Sequence, residues 1–400
     1  MALEGVKVIE WGEYVSAPFC ARTLADMGAD VLKVEHPRGD RSRRHGPFPG
    51  DVPHREQSGL YLALNANKRG ITLNPSKATG RAILLRLLES ADVLVEDQGA
   101  SFVDGLGLDY VSLKERFPRL IVASLTPYGR TGPYRDYKGH DLSANAAGGI
   151  SFGNGTPQRE PLVVPAAQVS FMAGLGAALA TVMALVAREA TGRGQLVDVA
   201  EAQVVGVLLT GYHLPTYIYK GIPGYRAGNR FRLGLYPNCV LPCKDGYVCI
   251  NCPQMEQYQR FLALLGNPEW TNNPRYRDRR AMTEQYPDEA EGLIIPWFME
   301  HTKEEIFALC REHRIPCVPV QTIQEVVHDE HLASRSYFQE LGHPDAGRLT
   351  YPGPPYRFSA TPWGLRLPAP TLGQHNREVL CDLLGYIPDD LPRLRAAGVI

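Results

Sequence analysis

The fold of this chain is decided by residues 6–35, which read VKVIEWGEYVSAPFCARTLADMGADVLKVE. The apolar run Val6–Trp11 predicts a buried strand, and Ser16, as N-cap before a proline, predicts a helix that reaches about Met27. Val31–Glu35 predicts a second strand. A strand, a helix and a strand in this order predict a parallel pair joined by a right-handed crossover.

The same alternation of strands and helices continues to about residue 210. Further strands are predicted at Ile71–Leu73, Asp92–Glu96, Leu120–Leu125 and Leu196–Val199, and further helices at Thr79–Glu89, Leu113–Phe117, Ala173–Ala187 and Glu201–Leu209. This order is typical of the α/β class and predicts a doubly wound, Rossmann-like sheet with helices on both faces.

The rest of the chain predicts a smaller α+β domain. Asn238–Asn251 has the pattern of a hairpin with a Lys244-Asp-Gly turn, and Cys317–Gln321 predicts a short buried strand. Helices are predicted at Met255–Leu265, Glu289–Met299, Lys303–Glu312 and Asn376–Leu384. Since 400 residues exceed the usual size of one domain, we expect two. The predicted division is a large domain at 1–210, a linker at 211–235, a small domain at 236–325, a second linker at 326–345, and a segment at 346–400 that returns to the large domain.

The composition indicates a soluble protein of balanced charge. Lys and Arg total 42 against 43 Asp and Glu, so nothing in the overall charge attracts nucleic acid or an acidic membrane. We expect the eight cysteines to be reduced in a cytoplasmic protein, because the chain opens without an apolar run behind a basic start. No apolar stretch of about 20 residues predicts a membrane span.

One carboxylate stands out in the loop that leads into a run of small, helix-forming residues. Asp141 lies between Gly129 and Gly149, at the expected start of a helix, where free backbone amides stabilise an anion. A carboxylate there can attack an activated acyl carbon. The simpler interpretation is that Asp141 caps the helix, because Asp is a preferred N-cap residue. The local pattern leaves both interpretations open.

A basic cluster follows the second strand and contains Arg38, Arg41, Arg43 and Arg44. Ligands of doubly wound sheets bind at the carboxyl ends of the strands, so these cations are candidates for holding phosphate. A solvated charged loop is the alternative.

Several common cofactor signatures are missing. The first strand is followed by Gly12-Glu-Tyr-Val-Ser-Ala, which lacks the dinucleotide glycine fingerprint, and no Gly-Lys-Ser/Thr loop occurs. The only cysteine cluster has five residues between Cys243 and Cys249, fewer than the about 12 that separate the two halves of a zinc site. We therefore expect no metal, and disfavour NAD binding and ATP hydrolysis.

Seven ordered segments together identify a resemblance. They are Leu3–Glu10, Leu24–Glu35, Asn67–Asn74, Ala91–Glu96, Gly139–Asp141, Thr191–Ala200 and Ile315–Val320. On these the chain resembles the family III CoA-transferases, whose members include formyl-CoA and carnitine CoA-transferases and whose relatives include 2-methylacyl-CoA racemase.

The resemblance implies a mechanism and a site. It assigns the family's nucleophilic aspartate to Asp141, which would carry CoA as an aspartyl thioester between an acyl-CoA donor and a carboxylic acid acceptor. CoA would be a substrate, and no cofactor would be bound permanently. The CoA contacts it implies are Val15, Ser16, Arg38, Arg41, Leu73, Lys77, Asp97, Gln98 and Arg130. It also implies a ring-like chain that forms an interlocked homodimer.

Two alternatives stay open beside the transferase. A racemase moves a proton between the faces of an α-carbon and needs an acid and a base on opposite sides. No histidine lies between His54 and His140, and His140 is adjacent to Asp141, which disfavours that arrangement. A CoA-binding protein without turnover would keep the basic loop but would not need Asp141.

Overall fold

The computed structural model describes residues 1–211, 213–231 and 234–400. The predicted linker at 211–235 includes Tyr212, Arg232 and Leu233, which lie outside the described residues. The strands are β1 (Lys7–Trp11), β2 (Asp30–Glu35), β3 (Lys68–Thr72), β4 (Val93–Glu96), β5 (Ile121–Thr126), β6 (Leu196–Ala200), β7 (Asn238–Cys243), β8 (Gly246–Asn251), β9 (Cys317–Pro319), β10 (Phe338–His343) and β11 (Gly347–Pro352).

Helices account for most of the remaining regular structure. They are α1 (Ser16–Asp26), α2 (Gly59–Asn65), α3 (Ala78–Leu88), α4 (Ala100–Leu106), α5 (Tyr110–Arg116), α6 (Asp141–Ala147), α7 (Ile150–Gly153), α8 (Gln168–Thr191), α9 (Glu201–Leu208), α10 (His213–Lys220), α11 (Met255–Leu264), α12 (Arg279–Glu284), α13 (Pro287–Gly292), α14 (Ile295–Glu300), α15 (Lys303–Glu312), α16 (Ile323–Val327), α17 (Glu330–Ser334) and α18 (Asp390–Ala396). Glu378–Leu383 forms a π-helical segment.

Six parallel strands form the main sheet, in the order β3-β2-β1-β4-β5-β6. Val8 of β1 pairs with Val31 of β2 on one side and with Val93 of β4 on the other. The predicted α/β class and parallel sheet are therefore confirmed. The strand order reverses between β1 and β4, and the carboxyl ends of the strands at such a reversal are the usual ligand site of these sheets.

The described residues form two compact units. Unit 1 comprises residues 1–151, 163–215 and 333–400, and unit 2 comprises residues 152–162 and 216–332. In unit 1 both faces of the sheet are covered. Leu24 and Ala177, from α1 and α8, share a core on one face, while Leu84 of α3 and Leu380 share a core on the other. The C-terminal segment thus packs within the core of unit 1.

Several predicted elements need correction. Val15, not Ser16, is the N-cap of α1, and no side chain caps that end. The predicted helix Glu289–Met299 is two helices, α13 and α14, because Pro296 has no amide hydrogen to continue the ladder. The hairpin of β10 and β11 lies across the predicted second linker at 326–345 and the segment that follows it.

The turn between β10 and β11 explains why the sequence did not predict this hairpin. The His343 ring nitrogen Nδ1 accepts hydrogen bonds from the backbone amides of Asp345 and Ala346, each at 3.2 Å. A side chain therefore holds the turn, without the Asn-Gly or Asp-Gly pair that usually announces one.

Helix α8 is longer than predicted and is long and apolar enough to cross a membrane by length and composition. The sequence analysis, in contrast, expected no apolar stretch long enough to span a membrane. Half of its most apolar window is buried within unit 1, where it packs against α1. Its exposed side chains include Leu175, Leu179, Met183 and Val186, which follow one face of the helix.

Unit 2 contains the antiparallel sheet β7-β8-β9 and confirms the predicted hairpin, with Asn238 paired to Asn251. Cys239, Cys243 and Cys252 are buried in its apolar core. Burial raises the pKa of the Cys252 thiol to about 12, which disfavours the thiolate that a metal would need. These three cysteines are therefore core residues of unit 2.

Candidate active site

The loops after β1 and β4 meet at the point where the strand order reverses. Gly12 lies at the end of β1, where a Cβ atom would stand 2.4 Å from the Cβ of Ala17, so only glycine fits. Asp97, after β4, accepts a hydrogen bond of 2.8 Å from the Glu13 amide. This contact ties the two loops together and forms one wall of a cavity.

The cavity has a volume of about 280 Å³ and brings together parts of the chain that are far apart in sequence. Its lining includes Tyr14, Val15, Ser16, Arg41, Asp97, His140, Asp141, Ser170 and Glu201. Val15, Ser16, Arg41, Asp97 and Asp141 are among the predicted site residues, whereas Ser170 and Glu201 are not.

The N-terminal turns of four helices contribute residues to this cavity. Ser16 and Glu201 are the first residues of α1 and α9, and Ser170 lies in the first turn of α8. Asp141 is the first residue of α6. Helix N-termini present free amides and a partial positive charge, which together favour anions. The cavity is therefore suited to negatively charged groups.

Asp141 is half-buried, and an amide from another helix fixes its carboxylate. Its Oδ1 accepts a hydrogen bond of 2.9 Å from the backbone N–H of Ser170. The N-cap of α6 is His140, whose amide donates to the Ser143 hydroxyl at 2.8 Å. The interpretation of Asp141 as the cap of its own helix is therefore wrong, and its carboxylate lies in the cavity.

Glu201 is a second carboxyl in the cavity and is only 5% exposed. Burial raises its pKa, hydrogen bonds with the Ser16 and Ser170 hydroxyls lower it in part, and the charge of Asp141 raises it. The sequence analysis missed this residue. The sequence could have indicated Glu201, because it directly follows the last strand of the parallel sheet. The carboxyl end of that strand lies at the same edge as those of the other strands, where ligands bind.

Strained backbone shapes two of the cavity walls. Tyr14 has a φ of 69°, and its amide donates to Asp40 Oδ1 at 3.0 Å. Ala166 and Ala167, just before α8, have φ values of 59° and 55°. Such left-handed residues other than glycine cost of order 1–3 kcal/mol each and concentrate at functional sites. Here they set the start of α8, from which the Ser170 amide reaches Asp141.

Glycines bring the helices around the cavity close together. A Cβ on Gly174 of α8 would stand 2.6 Å from the carbonyl oxygen of Ser16, and one on Gly148, after α6, would stand 2.6 Å from that of Ala202. Neither backbone oxygen can move aside easily. These two approaches fix α1 against α8 and α6 against α9, and with them the side chains of the cavity.

A buried network of charged groups lies beneath the loop after β1. The Lys33 ammonium contacts Glu10 at 2.7 Å and Asp40 at 2.8 Å, and Lys68 contacts Glu10 at 2.7 Å. All four side chains are almost fully buried. Burial tends to raise the pKa of Asp40, but the neighbouring Lys33 ammonium lowers it to about 2. Asp40 in turn holds the Tyr14 amide at the cavity.

A second cavity, of about 230 Å³, lies at the basic loop and is lined by Arg38, Arg43, Arg44, His54 and Arg55 among others. Arg38, Arg44 and Arg55 are mostly exposed. Arg43 is buried and donates to Glu35 at 2.7 Å and 2.8 Å, so its guanidinium is already occupied. The other three arginines are better placed to hold phosphate groups.

The CoA-transferase family III model matches residues 3–376 of the chain. The chain belongs to CoA-transferase family III. It is 32% identical over 400 residues to a succinyl-CoA--D-citramalate CoA-transferase of Chloroflexus aurantiacus, a match that covers 100% of this chain and 98% of the relative. It is also 32% identical, over 405 residues, to the beta subunit of a succinyl-CoA--L-malate CoA-transferase of the same organism, covering 100% and 98%.

A solved structure supports the family assignment. A CAIB/BAIF family protein from Brucella suis superimposes with a TM-score of 0.85 at 30% sequence identity, covering 95% of this chain and 99% of that one. The protein is thus an enzyme of the CoA-transferase type, for which CoA thioesters are substrates.

The remaining CoA contacts predicted for this family III CoA-transferase lie at different places. Leu73 and Gln98 line a third, small cavity of about 70 Å³ beside Phe102. Lys77 is exposed and lines none of the three cavities described above. Arg130 is half-buried, and its guanidinium pairs with Glu96. Arg130 also donates to Gln98 and Ser124, so much of its guanidinium is already bound.

Proposed function

We propose that this enzyme transfers CoA through a covalent intermediate on Asp141, within the cavity of about 280 Å³. One observation carries the assignment: the Asp141 carboxylate lies in that cavity and is fixed at 2.9 Å by an amide of another helix. A carboxylate fixed in this way is preorganised for attack on an acyl carbon.

The steps follow from the chemistry of a carboxylate and a thioester. Asp141 attacks the thioester carbon of the donor, a C–O bond forms, and the C–S bond breaks with its electron pair on the leaving CoA thiolate. The thiolate then attacks the aspartyl carbon of the mixed anhydride, which releases the donor acid and leaves CoA on Asp141. The acceptor carboxylate repeats both steps in reverse order.

Asp141 is a better nucleophile than its neighbour Glu201. Burial and the charge of Asp141 raise the pKa of Glu201, and the neutral carboxyl that this favours is a poor nucleophile. Asp141 is less buried than Glu201 and receives an amide hydrogen bond.

The CoA moiety would extend over the carboxyl edge of the sheet. Val15 and Ser16 would contact the thioester end, because they line the same cavity as Asp141. Arg38, at the basic cavity, and Arg41, at the edge of the Asp141 cavity, would hold phosphates. Leu73 and Gln98 would contact another part of the nucleotide, in the small cavity. No resident cofactor is needed for this chemistry.

The named relatives guide the choice of substrates. Both are named for succinyl-CoA as one substrate and for a hydroxylated acid as the other. A dicarboxylic acyl-CoA donor is therefore the first to test, with a panel of carboxylic acids as acceptors.

The oligomeric state is a separate proposal. The resemblance favours an interlocked homodimer, whereas the name of one relative, a beta subunit, favours assembly with a second, homologous chain. The exposed apolar face of α8, which includes Leu179 and Met183, supports association with protein of either kind. Native mass spectrometry of the purified chain, together with a transfer assay, distinguishes the two. A chain that functions only with a second subunit should lack transfer activity as a pure homo-oligomer.

The division of the chain into domains also stays a proposal. We propose a large CoA-binding domain at 1–210, completed by 346–400, and a small domain at 236–325, with linkers at 211–235 and 326–345. The two compact units support a large and a small domain, although residues 152–162 belong to unit 2 and not to the large unit. A cytoplasmic location likewise rests on composition alone.

The test is covalent trapping with the purified enzyme. After incubation with acyl-CoA donors, hydroxylamine should convert the aspartyl intermediate to a hydroxamate, which peptide mass mapping should locate at Asp141. A hydroxamate at Glu201, or an ester at Ser170, would reassign the covalent residue. Binding of CoA without turnover in any combination of substrates would favour the non-catalytic alternative, and α-carbon deuterium exchange in a 2-methylacyl-CoA would favour the racemase.

A further inference from the structure

Two carboxyl groups meet at one residue in the cavity. The backbone amide of Ser170 donates to Asp141 at 2.9 Å, and the hydroxyl of the same residue hydrogen-bonds with Glu201. The Ser16 hydroxyl, at the start of α1, is the second hydrogen-bond partner of Glu201. Glu201 is thus held by two hydroxyls inside the cavity where Asp141 lies.

In the described part of the chain no lysine or arginine pairs with these two carboxyls, although the charge of His140 lowers the pKa of Glu201 in part. Among the residues that the structure describes, neither Asp141 nor Glu201 forms a salt bridge within 4 Å. Arg41 lines the same cavity, but its guanidinium is bound to Glu13 at 2.9 Å and is 69% exposed. Neighbouring carboxylates repel each other, so the charge of Asp141 raises the pKa of Glu201.

Burial favours the neutral form of Glu201 in particular. Glu201 is the more buried of the two, and burial raises its pKa further through the loss of solvation of the charged form. The hydroxyls of Ser16 and Ser170 can accept as well as donate hydrogen bonds, so they can serve a protonated carboxyl.

We propose that Glu201 acts as a neutral acid that donates a hydrogen bond to the anion in the cavity while CoA is transferred. This inference rests on the transfer at Asp141 proposed above. The role differs from that of Asp141, because Glu201 forms no covalent bond and keeps its proton throughout.

The charge balance of the reaction gives the physical reason. When Asp141 attacks the thioester, its negative charge passes to the CoA sulfur. When the thiolate attacks the anhydride, the charge passes to the released carboxylate. The reacting groups therefore carry one negative charge at each stage. A neutral Glu201 keeps the total at one and supplies a donor, whereas an ionised Glu201 would raise it to two and repel each anion.

Other titratable groups of the cavity affect the pH dependence of activity. Those that line it besides Glu201 are Glu13, Tyr14, Arg41, His45, Asp97, His140 and Asp141. Burial raises the pKa of Asp97, and the nearby charges of Glu13 and Glu96 raise it further. The contribution of Glu201 to the pH dependence of activity is therefore measured as the difference between two variants at that position.

The kinetic test compares Glu201→Gln with Glu201→Ala, and uses Glu189→Gln as the control at an exposed position of α8. The amide of glutamine is a neutral donor of the same shape. We expect kcat/KM of E201Q to stay within about threefold of the unmodified enzyme near neutral pH, and that of E201A to fall about 100-fold, the usual cost of one lost donor. The loss of activity on the alkaline side should be weaker in E201Q. A folded E201Q as inactive as E201A would overturn the proposal, because the carboxylate would then be required.

A second measurement is independent of turnover. Difference infrared spectroscopy detects the carbonyl stretch of a protonated carboxyl. At neutral pH we expect this band in the unmodified enzyme, in E189Q and in Asp141→Glu, and its loss in E201Q. If the spectra of the unmodified enzyme and E201Q show no difference in this band, Glu201 is ionised. The proposal then fails, whatever the identity of the nucleophile. Conversely, a fully active Asp141→Asn would overturn only the proposed nucleophile.

Discussion

Two groups of carboxyls lie within unit 1 and have opposite surroundings. Beneath the loop after β1, Glu10 and Asp40 contact the ammonium of Lys33 at 2.7 Å and 2.8 Å, away from solvent. In the cavity, Asp141 and Glu201 are held by an amide and by hydroxyls, without a salt bridge in the described part of the chain. The pKa of Asp40 is lowered to about 2, whereas that of Glu201 is raised.

The difference shows how surroundings separate structural carboxyls from reactive ones. A buried carboxylate paired with a cation is fixed in its charge and cannot readily exchange partners. A carboxylate held only by neutral donors keeps its charge available to a substrate. The buried network nevertheless serves the cavity, because Asp40 also binds the Tyr14 amide at 3.0 Å.

The largest expected effect tests the cavity side of this comparison. Asp141→Asn removes the nucleophile but keeps the shape of the side chain, so transfer should fall by about 1000-fold or more. The midpoint of thermal unfolding should change little. The assay is CoA transfer from a dicarboxylyl-CoA, with Asp389→Asn, an exposed carboxylate, as the control. Retained activity would place the covalent step on another residue.

Lys33→Met tests the buried network. Without the ammonium, Asp40 loses its ion pair and Glu10 keeps only Lys68, so unfolding should become easier by about 3–5 kcal/mol. Urea unfolding followed by circular dichroism measures this change. Lys114→Met, at an exposed position of α5, should leave the free energy of unfolding almost unchanged. Equal stability of K33M and the unmodified enzyme would contradict a structural role for the network.

The acid dependence of stability sharpens the contrast. Because the folded-state pKa of Asp40 is about 2, below its ordinary value of 3.8, its stabilising contribution is complete above about pH 4 and is lost as the pH falls towards 2. Between pH 6 and pH 3 the stability advantage of the unmodified enzyme over Asp40→Asn should shrink by about 1 kcal/mol. Urea unfolding at both pH values checks this, and a constant advantage would show that Lys33 does not lower the pKa.

The smallest expected effect extends the comparison to the arginines. Arg38 is exposed at the basic cavity, whereas Arg43 is bound to Glu35. Arg38→Ala should raise KM for the acyl-CoA about tenfold, equivalent to about 1.4 kcal/mol, and leave stability unchanged. Arg43→Ala should mainly destabilise the fold. If Arg38→Ala leaves KM unchanged while lowering stability, the loop has a structural role only.

Much of the fold followed from local patterns. The alternation of apolar runs and helical segments in residues 6–35 predicted β1, α1 and β2 to within a residue or two, because burial of both sheet faces makes parallel strands continuously apolar. The hairpin of β10 and β11 was missed, since the His343 side chain and not a turn signature holds it. The break between α13 and α14 was readable from Pro296 but was overlooked.

The sequence alone determined the class of fold, the family, and the presence of one conspicuous carboxylate before a helix. Only the tertiary structure brought Ser170 and Glu201 to Asp141, from helices that begin about 30 and 60 residues later in the chain. It also separated Arg43, which is buried in an ion pair, from the exposed Arg38. The reason is physical: a local pattern records which groups a segment carries, whereas charge state and availability depend on burial and on partners supplied by distant segments.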